Sequence, residues 1–469
     1  MEKVTTMKGD ETNSFKNLEV VRIFNKFIHN EATGGIILLL CALIAVIFAS
    51  VPGGEWFDNI WNTQAGINIG DFSLNMSLRG WINDALMAIF FFTVGLEIKR
   101  EMTVGQISSF KRAFLPTVAA VGGMLMPALI FTIFNHGTPT AHGWGIPMAT
   151  DIAFAIGVIS LLGSRVPTSL KVFLTALAIV DDLGAIIVLA IFYPTHGLHL
   201  MYLLGALAVV LIVLLLNKLK LRSIFMYCLA GIFIWYFIYK SGIHATIAGV
   251  ILAMLIPCNA EVNCNAFSTK IGRLLNRFKE ATTDDGDMLT NPQEQHIIHL
   301  MHGELESVDP YLHRFESSLH PLVCYLIMPL FALANAGVAM DFGAFTGGAP
   351  HVAFGILFGL LLGKPLGIFL FSFIAIKLGL AERPIGASWL QLFCVSILGG
   401  IGFTMSIFIS NLAFADPAMV NIAKISILLT SSLAAILGLI ALNLCCRKKA
   451  DRIEADEIMP VKKAKKQRN

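Results

Sequence analysis

Long apolar runs are the feature that most constrains the fold of this chain. A helix needs about 20 mostly apolar residues to cross the hydrocarbon core of a bilayer, and the 469-residue sequence contains twelve such runs. Only 14% of its residues are charged, against about 25% in soluble domains. We therefore predict an all-α polytopic membrane protein. The twelve predicted spans are 34–52, 80–97, 113–134, 146–162, 168–193, 199–217, 222–239, 243–258, 319–340, 352–376, 388–412 and 421–445.

The placement of basic residues predicts how the chain is oriented. Most Lys and Arg residues lie in the connections that follow even-numbered predicted spans, such as Lys99 and Arg100 after the second. Because loops rich in Lys and Arg stay on the cytoplasmic side, we predict that both termini are cytoplasmic. The formal net charge of +3 is small, and the basic residues lie in short loops and at the carboxyl terminus, so we expect no nucleic-acid partner.

Segments outside the predicted spans have patterns of their own. Residues 15–28 repeat apolar side chains at helical spacing, which predicts an amphipathic helix on the inner membrane surface. In the outer loop, INIGDFSLNMS alternates apolar and polar residues around Gly70 and Asp71, which predicts a β-hairpin. Because exposed strand edges pair readily, we expect a homodimer through the outer hairpin region, 53–77.

The polar stretch before the ninth predicted span contains a row of histidines. His296, His299 and His302 lie three residues apart in HIIHLMHGELES. This spacing could ligate a metal ion, but a solvated linker helix is the simpler interpretation. The predicted regions of the chain are a cytoplasmic amino-terminal part (1–33), spans one to eight (34–258), a cytoplasmic insert (259–318), spans nine to twelve (319–445) and a basic cytoplasmic tail (446–469).

Cysteine usage gives no sign of a disulfide framework or a zinc site. Most of the eight cysteines lie in or beside apolar runs, and no CxxC motif occurs. We therefore predict reduced cysteines that serve packing.

Four ionisable residues lie deep within apolar runs: Asp151, Asp181, Asp182 and Lys364. Each costs about 2.5 to 3.5 kcal/mol at the centre of a spanning helix, which amounts to on the order of 10 kcal/mol together. A buried ion pair would explain Lys364 and one aspartate but leaves two carboxylates. Three acids and one base instead predict a site that attracts a cation or holds protons. Adjacent residues on a helix point about 100° apart, so we expect Asp181 and Asp182 to have different roles.

Predicted spans four and eleven look interrupted. Gly and Pro residues, among them Pro147, precede Asp151 in span four, and Gly400 and Gly402 lie inside span eleven. Span four is central in spans three to five, span eleven is central in spans ten to twelve, and the two triplets run in opposite directions. Inverted repeats with broken helices at matching positions predict a transport site near the midplane. Asp151 could offset the positive amino ends of the half-helices, and Lys364 the negative carboxyl ends.

Taken together, these residues make the chain resemble the NhaA-type sodium/proton antiporters, a family of bacterial inner-membrane transporters that are not enzymes and need no cofactor. The resemblance covers roughly 17–260 and 312–445. The motifs that carry it are, in chain order, GLEIKRE, ATDIAFAIGV, ALAIVDDLGAI, KSGIHATIAGV, LFALANAGV, GKPLGI and GIGFTMSIFI.

The resemblance implies a function and a set of site residues. In proteins of this kind, the aspartate at Asp182 is the central ligand of sodium and protons, and Asp151 and Thr150 contribute nearby oxygens. Asp181 is implied to pair with Lys364, the counter-charge or proton carrier, whose release accompanies cation binding. We therefore expect export of Na+ or Li+ in electrogenic exchange for more than one H+, activated at alkaline pH, with sodium at Asp182 and Asp151.

The resemblance also implies a pH-responsive cluster at the cytoplasmic funnel. The matching residues are Glu97, Arg100, Glu101, Glu316 and His320. Any one of these residues is explained equally well as a charged side chain solvated at the membrane interface, without a role in the pH response. His244, near the predicted outer face, is better explained as a packing histidine.

Three other classes of protein share some of these features. An intramembrane aspartyl protease needs its acids on two helices and a GxGD motif, whereas this chain has an adjacent pair and no GxGD. A cation channel would line its pore with charged residues and would not need a midplane lysine. A symporter of organic anions on the same fold is the strongest alternative, because the residues indicate a cation site more directly than a direction of coupling.

Overall fold

A computed structural model of the chain gives its fold. The predicted amphipathic helix at 15–28 and the hairpin residue Asp71 lie outside the residues that it describes. The described residues are 31–70, 72–105, 108–194, 197–259, 264–281, 292–338 and 349–466.

Helices form most of the described chain, and two strands form its one described sheet. A 3-10 segment, Pro139–Met148, precedes α5, and π-helical turns interrupt α3, α12 and α13. The elements are α1 Glu31–Ser50, α2 Glu55–Asn62, β1 Gln64–Ile69, β2 Phe72–Ser77, α3 Leu78–Thr103, α4 Phe110–Phe134, α5 Ile152–Ser160, α6 Thr168–Phe192, α7 Leu200–Lys218, α8 Ile224–Ser241, α9 Ile247–Leu255, α10 Cys264–Ala281, α11 Pro292–Val308, α12 Tyr311–Asn335, α13 Pro350–Lys377, α14 Trp389–Gly399, α15 Phe403–Ala413 and α16 Pro417–Lys466.

The helices support the predicted class of all-α polytopic membrane protein. Nine described helices are long and apolar enough to cross a membrane, and two bent helix pairs raise the number to at most eleven. The predicted span 243–258 contains only the nine-residue helix α9, Ile247–Leu255. Gly242, with φ +88°, ends the preceding helix α8. Twelve spans and inverted repeats therefore stay predictions. The fourth span also begins at Pro139 rather than at 146.

The chain divides into two compact units. Unit one comprises 1–87, 106–195 and 321–469, and unit two comprises 88–105 and 196–320. All four ionisable residues of the predicted midplane site belong to unit one. The predicted pH-responsive cluster and the two insert helices, α10 and α11, belong to unit two. The boundaries of the five regions predicted from the sequence stay a prediction.

The predicted β-hairpin is present. Strands β1 and β2 pair antiparallel from Gln64↔Ser77 to Ile69↔Phe72, and Gly70 takes the left-handed backbone, with φ +58°, that the tight turn requires. Leu74 is buried, whereas Ile67, its partner across the ladder, is 53% exposed. The hairpin thus keeps apolar surface exposed, and its use as a dimer contact stays a prediction.

Arg79, at the amino end of α3, joins three parts of unit one. Its Nη2 lies 2.6 Å from Asp58 Oδ1 in α2, and its Nε donates to the carbonyl of Ala334 at 3.1 Å. That carbonyl is in the last turn of α12, where carbonyls lack a partner within the helix. Partial burial raises the pKa of Asp58, but the hydrogen bond and charge of Arg79 outweigh this effect and hold that pKa below its usual value.

The contact between Asp58 and Arg79 should make stability depend on pH. Because the pKa of Asp58 is lower in the folded state, its contribution is complete above the unfolded pKa of about 3.9 and is lost as pH falls through the folded value. The carboxylate is more than half exposed, so we expect Asp58→Asn to lower stability at neutral pH by less than about 1 kcal/mol. The melting temperatures of Asp58→Asn and of the unmodified chain should converge as the pH falls from neutral to acid. The control is Glu55→Gln in the same helix, and a difference between Asp58→Asn and the unmodified chain that is equal at every pH would contradict the prediction.

Candidate functional site

Two interrupted helices meet in unit one and bind each other at their breaks. The 3-10 segment and α5 are bent by 41°, and α14 and α15 by 45°. Asp151 N donates to the carbonyl of Ile401 at 2.7 Å, and Thr150 Oγ1 donates to the carbonyl of Gly399 at 3.0 Å. Backbone groups released from helical pairing are tolerated at membrane depth only where such partners exist. The two breaks therefore stabilise each other.

Close packing explains the glycine at one break. Neither Gly400 nor Gly402 has a positive φ, so the backbone conformation itself does not demand glycine. A Cβ at Gly400 would instead lie 2.5 Å from the carbonyl oxygen of Leu360 in α13. Pro147, the third predicted break residue, is buried near the end of the 3-10 segment. The glycine thus lets the broken helix approach a neighbouring backbone.

Asp151 binds the amino ends of two half-helices. It is 1% exposed, and its Oδ1 accepts a hydrogen bond from Phe154 N at 3.0 Å, which caps α5. Its Oδ2 accepts hydrogen bonds from Thr404 N, at 3.1 Å, and from Thr404 Oγ1 in the first turn of α15. A carboxylate at a helix amino end is stabilised by the helix dipole. Asp151 therefore places a carboxylate at the positive amino ends of two half-helices.

Lys364 lies at a carboxyl end and against an aspartate. Its side chain is fully buried directly after the π-helical turn Gly359–Gly363 of α13. Nζ donates to Asp181 Oδ2 at 2.7 Å and to the carbonyl of Met148, the last residue of the 3-10 segment. The ammonium thus neutralises a carboxylate and the negative end of a half-helix together.

Asp181 and Asp182 differ in their surroundings although they are adjacent in α6. Both are 1% exposed, and Asp181 forms an ion pair with Lys364. Among the described residues, nothing donates a hydrogen bond to Asp181 Oδ1. Asp182 acts on the Lys364 ammonium through its charge. The surroundings of the two carboxylates are compatible with different roles, and the roles themselves stay predictions.

The five residues of the predicted pH-responsive cluster come together in unit two. Arg100 forms ion pairs with Glu316 and with Glu101, the latter at 3.2 Å. His320 Nδ1 lies 4.0 Å from Glu97 Oε1. Neighbouring charges of this kind respond to one another's protonation. Their part in pH regulation stays a prediction.

The described histidines of unit two belong to no group that could hold a metal ion. His296, His299 and His302 are exposed on α11, and within the described ranges no group of three His, Cys, Asp or Glu side chains could hold a metal ion. The metal interpretation of these histidines therefore has no support. His244 is buried, which agrees with a packing residue.

Two residues of unit one were missed by the sequence prediction. Thr404 supplies two donors to Asp151, and it lies two residues after Gly402 of span eleven, a position that could have suggested a helix amino end. Lys424 is 5% exposed within α16 and faces the charges of Arg79 and Asp58. The rule that selects ionisable residues within apolar runs would also have selected Lys424.

Removing the Thr404 hydroxyl should weaken the helix crossing. Thr404→Val keeps the size of the side chain but takes one donor from a buried carboxylate, so we expect a loss of about 1 to 3 kcal/mol. Chemical or thermal unfolding of the purified protein measures it. The matched control is Thr430→Val, because Thr430 is equally buried but donates to the carbonyl of Ser426 in its own helix. Equal losses in both variants would show that the carboxylate of Asp151 does not depend on Thr404.

Comparison with known proteins identifies the family. The sequence profile described as Na+/H+ antiporter 1 matches residues 25–442. The chain is 49% identical over 414 residues to "Na(+)/H(+) antiporter NhaA" of Helicobacter pylori (strain P12), which covers 88% of this chain and 93% of the relative. It is 45% identical over 423 residues to the protein of the same name from Wolinella succinogenes, covering 90% and 93%.

A third relative, "Na(+)/H(+) antiporter NhaA 2" of Helicobacter hepaticus, is 43% identical over 424 residues, which covers 90% of this chain and 95% of that protein. All three relatives are named as antiporters and none as an enzyme. The resemblance found in the motifs is thereby confirmed over almost the whole length of the chain. This chain belongs to the Na+/H+ antiporter 1 family.

Proposed function

We propose that this chain is a secondary active antiporter that exports Na+ and Li+ in exchange for external H+ across a bacterial inner membrane. It serves sodium and pH homeostasis by alternating access around a midplane aspartate site. The family supports exchange of Na+ for H+, since its curated relatives carry that name. Nine to eleven apolar helices support a multi-pass membrane protein.

The observation that carries the proposal is a set of buried charges beside the helix breaks. Asp151, Asp181, Asp182 and Lys364 are each at most 1% exposed. When all are ionised, three carboxylates and one ammonium give an excess of negative charge. An excess of this sign in apolar surroundings attracts cations or protons, and hard oxygen ligands favour small hard cations.

The resemblance to the antiporter family favours Asp182 as the group that exchanges sodium for protons. Asp151 already accepts three hydrogen bonds from Phe154 and Thr404, so its oxygens are largely held in place. Asp181 is held by Lys364. On the basis of that resemblance we assign sodium primarily to Asp182, with Asp151 and the Thr150 hydroxyl as further oxygens. Protonation of Asp182 removes the charge that binds sodium, and this competition couples the two fluxes.

The ion pair between Lys364 and Asp181 is the proposed link to the conformational change. Nζ of Lys364 also binds the carbonyl of Met148, three residues before Asp151. A cation that arrives at Asp182 repels the ammonium and weakens both of its contacts. The 3-10 segment and α13 then become free to shift, as alternating access requires. More than one proton per sodium makes the exchange electrogenic.

The charged cluster of unit two is the proposed pH regulator. It contains three carboxylates, a guanidinium and an imidazole, in which Arg100 pairs with Glu101 and Glu316 and His320 lies 4.0 Å from Glu97. Deprotonation of such a group at alkaline pH changes which pairs form. We assign this role to Glu97, Arg100, Glu101, Glu316 and His320.

The remaining parts of the proposal concern topology and assembly. Basic loops favour cytoplasmic termini, and the β-hairpin with its exposed Ile67 favours a homodimer through 53–77. An exposed hairpin has unpaired strand edges that a second copy can extend.

Transport by everted membrane vesicles tests the function. A respiratory pH gradient quenches an acridine dye inside the vesicles, and exchange of cations for protons restores its fluorescence. We expect recovery on addition of Na+ and of Li+ but not of K+, together with a response of a potential-sensitive dye. Absence of recovery with Na+ at every pH would reject the proposal. Uptake of an organic anion that depends on Na+ would instead support the symporter alternative.

A further inference from the structure

Two thiols of unit one lie in contact between α14 and α16. Cys394 Sγ is 3.4 Å from Cys445 Sγ, although 51 residues separate them in the chain. One turn away, Gln391 Nε2 lies 3.6 Å from Cys446 Sγ. The ends of both helices are therefore packed side by side, and this packing holds the two thiols together.

Further along the same seam, the two helices approach closely. Gly438 of α16 faces Leu398 of α14, and a Cβ at that glycine would overlap the leucine side chain. The contacts at Gly438 and at Cys445 lie on one stripe of α16. Thiol contact is thus a fixed consequence of how α14 and α16 pack, and it does not depend on a loop.

The two thiols differ in access. Cys394 is 3% exposed, whereas Cys445 is half-buried at the end of the apolar part of α16. A reactive thiol that a small oxidant can reach, beside a second thiol that can resolve it, is the arrangement found in redox-sensing proteins. Cys445 has the access and Cys394 has the position of the resolving thiol.

We propose that Cys394 and Cys445 form a reversible disulfide when hydrogen peroxide oxidises Cys445. The Cys445 thiolate attacks peroxide, so that an S–O bond forms, the O–O bond breaks, and hydroxide leaves and takes up a proton as water. The sulfur of Cys394 then attacks the sulfenic acid of Cys445. The S–S bond forms, the S–O bond breaks, and a second water leaves with the thiol proton. Two thiols lose two electrons in total, and one peroxide is reduced to two waters.

Cys446 is not the resolving residue. Adjacent residues on a helix point about 100° apart, and Cys446 is directed towards Gln391. A Cys445–Cys446 disulfide would require the helix end to unwind. The disulfide proposed here joins two sulfurs that already lie 3.4 Å apart, and reductants can reach it through half-buried Cys445.

The disulfide would join α16 to the half-helix that carries the break. Gly399 ends α14, and its carbonyl accepts the hydrogen bond of Thr150. Oxidation thus converts a packing contact next to the candidate ion site into a covalent link. Because disulfides of reducing compartments are transient, we expect thiol reductants to restore the starting state.

Mapping of thiols in the full-length protein tests the proposal. Membrane vesicles are reduced with dithiothreitol, treated with hydrogen peroxide, and blocked with N-ethylmaleimide before digestion and mass spectrometry. We expect the peptide of Cys394 joined to the peptide of Cys445, two hydrogens lighter than the separate peptides, and its release by dithiothreitol. Exposed Cys228 should remain outside this product and serves as the internal control.

Variants separate the steps of the reaction. In Cys394→Ser, the sulfenic acid of Cys445 should persist and react with dimedone. In Cys445→Ser, Cys394 should stay a thiol that N-ethylmaleimide labels after denaturation, whereas Cys446→Ser should leave the disulfide unchanged. A Cys445–Cys446 product, or overoxidation of Cys445 while Cys394 remains a thiol, would overturn the proposal. Because the readout is a covalent product, its result is independent of the transport function.

Discussion

Replacement of Asp182 by asparagine is expected to reduce sodium-dependent proton exchange to the background of vesicles that lack the protein. Asparagine has almost the same shape, but it neither carries a negative charge nor releases a proton near neutral pH. Sodium then loses its charged ligand, and protons lose the group for which they compete with sodium. The measurement is recovery of dye fluorescence in everted vesicles across the alkaline range, with Na+ and Li+ added separately.

Two controls make this result specific to Asp182. The melting temperature of Asp182→Asn should not fall, because removal of a buried negative charge leaves a neutral group of equal size. Asp416→Asn replaces an exposed carboxylate, and this variant should show the same sodium-dependent proton exchange as the unmodified protein. If Asp182→Asn kept full exchange, the central ligand would have to be another residue.

Loss of the Lys364 ammonium is expected to give the largest loss of stability. Lys364→Ala leaves Asp181 as a buried carboxylate without its ion-pair partner, and it also removes a donor from the carbonyl of Met148. Breaking a buried pair in this way costs about 3 to 5 kcal/mol. We expect a lower midpoint of thermal unfolding in detergent and a shifted pH profile of exchange.

A double variant distinguishes loss of the partner from loss of the side chain. Asp181→Asn with Lys364→Met replaces the pair by neutral groups of similar size, and this combination should recover most of the stability. Lys377→Ala, at the exposed end of the same helix, should have little effect. An unchanged melting temperature together with an unchanged pH profile in Lys364→Ala would remove this lysine from the mechanism.

Local sequence patterns predicted most of the architecture correctly. Apolar runs of about 20 residues are sufficient to define a spanning helix, and alternation around Gly70 was sufficient to define the hairpin. The ionisable residues within those runs include Asp151, Asp181 and Lys364, which are buried in the structure, and their roles stay predictions. The helices and the hairpin could be predicted because each depends on neighbours within one helix or one turn.

Other features of the structure differ from the sequence predictions in their bounds or were not predicted, because they depend on contacts between distant parts of the chain. The broken fourth span begins at Pro139 and not at 146, because a 3-10 segment packed against other helices replaces the expected helix. The expected span 243–258 contains only α9. The contact of Thr404 with Asp151 and the contact between Cys394 and Cys445 were not predicted, because each joins residues that are far apart in the chain. Lys424 was missed although it lies within an apolar run.

The sequence by itself determined the membrane class, the family and the four charged residues Asp151, Asp181, Asp182 and Lys364 within apolar runs. Only the tertiary structure decided which groups those residues bind. Thr404 and Asp151 are 253 residues apart, and Lys364 and Asp181 are 183 apart. A buried charge needs a partner, and which partner lies beside it depends on how all the helices pack against each other. For this reason the free-energy cost of burying each charge follows from the apolar sequence of its own helix. The contacts that offset this cost come from other helices.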